Sequence, residues 1–207
     1  MSAPLETLPA LRGLARLADL RPVIVTDTRE QTPLAFTRLA SVRDTLQSGD
    51  YSVRGFENEF AVERKTIDDF VSCCSGENRL RFFRELHRLR GFRFKRLLVI
   101  GEAWEIPAKR YGSSISPKAV LSTLAVIEAR FDVPVVHVKN AAEGAEAVER
   151  WAWWYAREAV ERCNELLRGT EGEEPSSPAP ASESLATASG AAPRCPEISR
   201  TLNPNTL

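Results

Sequence analysis

Two alternating segments flank a turn, and they limit what this chain can fold into more than anything else in it. Residues 50–54 read DYSVR and residues 59–64 read EFAVER, with the turn-like GFEN between them. Alternation over such runs marks half-buried strands, and a short glycine-bearing connection joins them as a β-hairpin. With the turn centred between Phe56 and Glu57, the numbers of facing residues sum to 113. Asp50 then faces Glu63, Tyr51 faces Val62, Ser52 faces Ala61 and Val53 faces Phe60. Directly opposed residues share one side of a sheet. Tyr51, Val53, Phe60 and Val62 therefore make an apolar side, and Asp50, Ser52, Ala61, Glu63 and Lys65 make the other.

That second side carries chemistry. Two carboxylates meet at one end of the hairpin, where like charges repel, and the small Ser52 and Ala61 leave space beside them. A divalent cation resolves such repulsion, and Mg²⁺ prefers oxygen ligands from one or two carboxylates plus waters and phosphate. Lys65, two residues past Glu63, projects to the same side. A cation placed there suits the attacking water or the charged phosphorane. The plain alternative is a solvated hairpin end carrying a Lys–Glu pair.

The remaining elements arrange themselves around this hairpin. Residues 22–27 (PVIVTD) read as a buried strand ending at Asp27, and ligands of open sheets gather at the carboxyl ends of strands. Arg29 follows in the same turn, placed to hold a phosphate or brace a carboxylate. Thr66 opens a helix with a capping-box-like pattern. Asn78 is expected to cap a second helix reaching about Arg90. Residues 96–100 (RLLVI) and 133–138 (VPVVHV) are strands. Between them, Ser116-Pro117 starts a helix that runs to Phe131. Asn140 caps a long last helix ending near Arg168. The expected fold is α/β, a mixed central β-sheet flanked by helices.

Three regions follow: a packing segment over 1–20, a main domain over 21–168 and a disordered tail over 169–207. The tail is rich in Ser, Pro, Ala and Glu and lacks the large apolar residues a core needs. No apolar run approaches the length of a membrane span. The four cysteines include the adjacent Cys73 and Cys74 and no CxxC pair, so reduced thiols and a cytoplasmic setting are expected. Twenty-three arginines against five lysines point to a GC-rich prokaryotic or phage genome.

Net charge is zero over the whole chain, but the charge is unevenly placed. Residues 79–96 hold eight basic side chains against the single acid Glu85. On the helix RLRFFRELHRLR, Leu80, Phe83 and Leu86 form an expected core stripe. Arg81, Arg84 and Arg88 lie on another face at spacings suited to a phosphate backbone. A solvated basic face is the alternative. On the last helix, Trp151, Trp154 and Tyr155 share one side and are expected to pack in the core. His87 and His137 are isolated and read as structural.

In this order, VIVTDTRE (23–30), SGDY (48–51) and VERKTIDDF (62–70) resemble the XPF/Hef-type nucleases. That family's pattern is D-x-R-E after a strand, then GD, then E-R-K-x-x-x-D. The family belongs to the wider group of restriction-endonuclease-like metal nucleases, in which an acid and an E-x-K share a metal site. The match covers roughly residues 22–140. It implies a Mg²⁺-dependent endodeoxyribonuclease, with Mn²⁺ able to substitute, acting on branched or single/double-strand junction DNA. Position by position, the resemblance assigns Asp27, Asp50 and Glu63 to the metal, with the Arg64 carbonyl as a further ligand. Lys65 becomes the catalytic lysine, and Arg29, Arg64 and Asp69 supporting residues. Arg79 matches an arginine just before the basic helix and joins Arg81, Arg84 and Arg88 as an expected DNA contact.

Family members usually carry a tandem helix-hairpin-helix module. The stretch after Val138 shows no glycine-bearing hairpin motif. Substrate preference is therefore expected to come from a homodimer or from a separate DNA-binding or helicase partner. A dimer face on the last helix is the second reading of its aromatic residues. Two rival functions remain at this point: a catalytically silent DNA-binding or scaffold subunit, and a general recombination or restriction-like nuclease. Retention of Asp27, Asp50, Glu63 and Lys65 favours an enzyme over the silent subunit.

Overall fold

The computed structural model describes residues 20–168. The expected packing segment up to Asp19, the tail from Gly169 and Cys195 lie outside the described residues. Six strands build one mixed sheet: β1 (Ile24–Asp27), β2 (Ser41–Asp44), β3 (Tyr51–Val53), β4 (Phe60–Thr66), β5 (Phe94–Ile100) and β6 (Val135–Val138). Their spatial order is β2-β1-β3-β4-β5-β6. β3 runs antiparallel to both β1 and β4, whereas β1–β2, β4–β5 and β5–β6 are parallel. Four helices complete the core: α1 (Ile67–Ser72), α2 (Gly76–Leu89), α3 (Pro117–Phe131) and α4 (Ala141–Arg168).

The hairpin has the expected register, with Tyr51 opposite Val62. Its apolar side packs under α4: Tyr51, Val53, Phe60 and Val62 join Val148 and Ala152 in one buried cluster. The other side faces α1, α2 and α3, where Ala61 joins Phe70, Phe82 and Ile127. Burial on both sides is why register is strict, since a slip of one residue would exchange the two sets of side chains. Phe60 is fully buried and stacks on Phe94, so its truncation to Ala would cost about 3–5 kcal/mol.

Gly49 brings the chain into β3. It adopts φ +78°, and a Cβ there would stand 3.0 Å from the Val62 carbonyl oxygen and 3.3 Å from the Ala61 Cβ. Only glycine allows both that conformation and that approach. Thr66 caps α1 through its hydroxyl, which accepts from the Asp69 amide at 3.1 Å. Ser116 caps α3 in the same way, and Asn140 Oδ1 accepts from the Glu143 amide at the start of α4.

Four expectations need correction. β2 was not foreseen: all of its residues are exposed, so it has no alternation and exists through backbone pairing with β1. The N-cap of α2 is Ser75, and Asn78 lies inside the helix; Gly76 makes the turn at φ +61°. The face of α2 that meets the core carries Phe82, Leu86 and Leu89, leaving Leu80 63% exposed. On α4, Trp151 and Tyr155 pack toward Phe94 as expected, but Trp154 points outward and is 56% exposed.

Both histidines have structural surroundings: His87 meets Phe131 edge-on, and His137 Nδ1 lies 3.1 Å from the Gly101 carbonyl. Cys73, Cys74 and Cys163 are free. Among the described residues, no helix is long and apolar enough to cross a membrane.

Candidate active site

A cleft of about 140 Å³ opens between the hairpin, the end of β1 and α2, and its lining is mostly polar. The strand order accounts for it. Asp27 closes β1, and its amide donates to the Asp50 carbonyl at 2.8 Å across the β1–β3 junction. Asp50 enters β3 beside Glu63 of β4. Asp27, Arg29, Asp50 and Glu63 all line the cleft, so the sheet brings the expected acids to one place.

The two hairpin carboxylates are differently placed. Asp50 Oδ2 accepts from the Arg64 amide at 2.7 Å. Burial and the nearby Glu63 charge nevertheless push the Asp50 carboxyl up to about 7. Glu63 Oε1 lies 2.8 Å from Lys65 Nζ, and both side chains are largely buried. Burial works against the Lys65 charge, but Glu63 and Glu85 outweigh it and hold its pKa above the ordinary lysine value. The Lys65 ammonium also stands 5.2 Å from the centroid of the Phe82 ring.

Asp27 has a separate set of partners. Its carboxylate accepts from Arg29 Nε at 2.7 Å, from Arg29 Nη2 at 2.9 Å and from the Arg29 and Leu46 amides at 2.7 and 2.8 Å. The Arg29 hydrogen bond outweighs burial and holds the Asp27 carboxyl down at about 2. Among the described residues, no three Asp, Glu, His or Cys side chains stand together as a ready metal cluster. The engagement of Asp27 with Arg29 and Leu46 agrees with that.

Arg64 braces the site from the other side of the strand. Its guanidinium lies 3.4 Å from Glu30 and donates to the Thr32 carbonyl at 3.1 Å, so the Glu30 of the D-x-R-E segment orients the arginine. Asp69 remains exposed and occupied with the α1 cap, where Thr66 Oγ1 donates to its Oδ2 at 2.7 Å. Arg79 is half-buried, donating to the Cys74 carbonyl and Thr123 Oγ1, and lies over the Phe83 ring.

The basic row on α2 divides. Arg81 and Arg84 are exposed, whereas Arg88 reaches the cleft lining together with Glu85, one turn earlier. Glu85 Oε2 stands 3.8 Å from Lys65 Nζ. Sequence reasoning had Arg88 outside the acid site and gave Glu85 no role. The available signal was a single acid in a basic helix, three residues before an arginine on the same face.

The donor set suits a hard cation. Asp50 and Glu63 offer carboxylate oxygens side by side in one cleft, the kind of donor a divalent cation prefers.

Mixed sheet, flanking helices and a mostly polar cleft lined by Asp27, Asp50 and Glu63 make this an α/β core with acids gathered at its strand ends. Residues 25–150 match the ERCC4 domain, so the chain belongs to the ERCC4 domain family, a family of nucleases. Its fold is similar to XPF from Aeropyrum pernix in complex with DNA, with a TM-score of 0.53 at 20% identity, covering 67% of this chain and 66% of that one. A second structure, XPF from Aeropyrum pernix, gives a TM-score of 0.50 at 18% identity, covering 72% of this chain and 70% of that one. The chain thus spans about two thirds of the length of these XPF chains. No curated protein matches it in sequence.

Proposed function

We propose that this protein is a Mg²⁺-dependent endodeoxyribonuclease that hydrolyses phosphodiester bonds at branched or single/double-strand junction DNA. One observation carries the proposal: Asp50 and Glu63 share a confined cleft, with the Lys65 ammonium 2.8 Å from Glu63. A silent scaffold has no use for two mutually repelling carboxylates in one cleft with a largely buried lysine paired to one of them.

Asp50, Glu63 and the Arg64 carbonyl would hold the cation, and Mn²⁺ would fit the same oxygen donors. When bound, it supplies Lewis acidity toward the phosphoryl oxygen and the attacking water. Lys65 orients that water or offsets charge gathering on the phosphate in the transition state. Arg29, with a side chain that is 68% exposed, can exchange part of its hold on Asp27 for a substrate phosphate. That exchange would free an Asp27 oxygen for the cation. Arg88 neutralises phosphate at the cleft rim, and Arg81 and Arg84 extend the basic path along α2. Junction preference would come from a second copy or a DNA-binding partner.

The test is direct. End-labelled flap, fork, Holliday-junction and linear DNAs are incubated with Mg²⁺, Mn²⁺ or EDTA. Cleavage of the branched substrates with either metal, abolished by EDTA, is expected. Metal-independent cleavage, or none on any substrate, overturns the proposal.

A further inference from the structure

A surface at the same edge of the sheet has no part in the acid site. β5 runs parallel to β4 in a register that sets Val99 beside Lys65 and Ile100 beside Thr66. The chain leaves β5 through Gly101 and makes a short 3-10 turn at Ala103–Glu105 before reaching α3. Gly101 adopts φ +137°, and a Cβ there would collide with the Ile67 side chain, so the loop begins hard against α1. Further along, the Gly112 amide donates to Asp68 Oδ1 at 2.9 Å. Asp68 lies three residues after Lys65, so this anchor is within about 11 Å of the lysine along the backbone.

This loop displays Trp104, which is 51% exposed. The indole is held in place: Nε1 donates to Glu102 Oε2 at 2.9 Å, and the Arg110 guanidinium lies over the ring, 5.5 Å from its centroid. Glu102 and Glu105 exchange a capping box, so both acids have local partners. Lys109, Arg110 and Lys118 are exposed on the same loop and at the start of α3. An oriented aromatic face beside exposed cations is the chemistry of single-strand recognition, where bases stack on the ring and cations meet the phosphates. A duplex keeps its bases stacked on one another and has none to offer the ring.

We propose that Trp104 and Arg110 form a stacking platform for an unpaired DNA strand beside the cleavage cleft. The inference deepens the nuclease reading and rests on it for the claim that the strand continues into the cleft. The platform explains a tryptophan displayed on a loop that is otherwise tied down at both ends.

Equilibrium binding of labelled oligothymidylate of about 12 nucleotides, within the footprint of single-strand binders, tests it without any cleavage. Ca²⁺ replaces Mg²⁺, and a blunt duplex of equal length is titrated in parallel. Trp104→Ala is expected to weaken oligothymidylate binding about tenfold, which fits the loss of one base stack. Trp104→Phe should keep affinity within about threefold, because an aromatic ring survives. Arg110→Gln should weaken the single strand more than the duplex. Melting temperatures of all three should stay at the wild-type value, since the indole lies on the surface. Unchanged oligothymidylate binding by Trp104→Ala, or an equal loss on duplex, overturns the platform. The nuclease reading fails separately: wild-type protein that binds the oligomer but cuts no DNA with Mg²⁺ or Mn²⁺ leaves the platform standing and removes the enzyme.

Discussion

Lys65 Nζ stands 2.8 Å from Glu63 Oε1 and 3.8 Å from Glu85 Oε2, so the proposed catalytic lysine is suspended between a hairpin carboxylate and a helix carboxylate. Such an ammonium is positioned before substrate arrives. Lys65→Ala should therefore lower the single-turnover rate at saturating enzyme far more than it lowers DNA affinity, because transition-state charge exists only during reaction. Rates with Mg²⁺ are compared with binding in Ca²⁺. Equal losses in both would make Lys65 an ordinary phosphate ligand.

Asp50→Asn and Glu63→Gln should each abolish cleavage while the fold survives. Removing the Asp50 charge relieves both its burial and its repulsion with Glu63, so Asp50→Asn should leave the melting temperature level or raise it, whereas Glu63→Gln also gives up the ion pair with the largely buried Lys65 and should lower it. Activity within about tenfold of wild type, a barrier change of roughly 1.4 kcal/mol, would end the assignment.

Burial of Asp50, with the Glu63 charge beside it, gives the metal-free protein a characteristic pH dependence. The Asp50 carboxyl ionises at 3.8 ordinarily and at about 7 in the fold. Folding therefore disfavours its charged form. This cost is absent below about pH 4, grows as pH rises toward 7 and is complete above that. Stability should fall across that window, and Asp50→Asn should flatten the slope, with a gain on the order of 1–3 kcal/mol at pH 8. Mg²⁺ should flatten it too, by favouring the carboxylate. Melting curves from pH 4 to 8, with EDTA and with Mg²⁺, provide the check, and parallel wild-type and Asp50→Asn profiles would refute it.

Asp27 should behave in the opposite way. Its folded carboxyl sits at about 2, below the ordinary 3.8, so its stabilisation is present above about pH 4 and is lost as pH falls toward 2. The Arg29 fork and the Leu46 amide depend on it. Asp27→Asn should lower stability by about 1–3 kcal/mol at pH 7 in addition to reducing cleavage. Denaturant unfolding distinguishes the two aspartates by the sign of the change, and a more stable Asp27→Asn variant would contradict the hydrogen-bonded arrangement.

The hairpin was legible because one side carries large apolar residues and the other carries acids and small residues, which leaves period-two alternation in the letters, and the Tyr51–Val62 register follows from the turn alone. The caps at Thr66, Ser116 and Asn140 were legible because each meets a first-turn amide that has no carbonyl one turn back in its own helix. β2 left no such trace, since Ser41–Asp44 is exposed throughout and is held by a neighbour distant in sequence. The site was half-legible. Which residues approach it follows from strand ends, and Arg29 was placed to brace a carboxylate, but its hold on both Asp27 oxygens and the arrival of Glu85 depend on side-chain direction and helix rotation. The latter was misjudged from the periodicity of α2, where Leu80 is exposed and Phe82 is buried.

That rotation separates the arginines of α2 into two classes with different expected effects. Arg81 and Arg84 are exposed and outside the cleft, while Arg88 lines it beside Glu85. If the first two follow the phosphate backbone, replacing both with Gln should weaken binding on every substrate. The log–log salt slope should flatten by about 0.9 for each duplex phosphate no longer neutralised, or roughly 1.8 for two. Their saturated single-turnover rate should stay at the wild-type value, because neither side chain reaches the acids. Arg88→Gln should differ: its slope should change by a single phosphate's worth, about 0.9, and its saturated rate should also drop, since the missing charge faces the reacting phosphate. Binding titrations in Ca²⁺ at several salt concentrations, followed by single-turnover cleavage in Mg²⁺, resolve the two behaviours. Salt slopes unchanged in both variants would make the helix a solvated basic face, and an unchanged rate in Arg88→Gln would return that residue to the outer path.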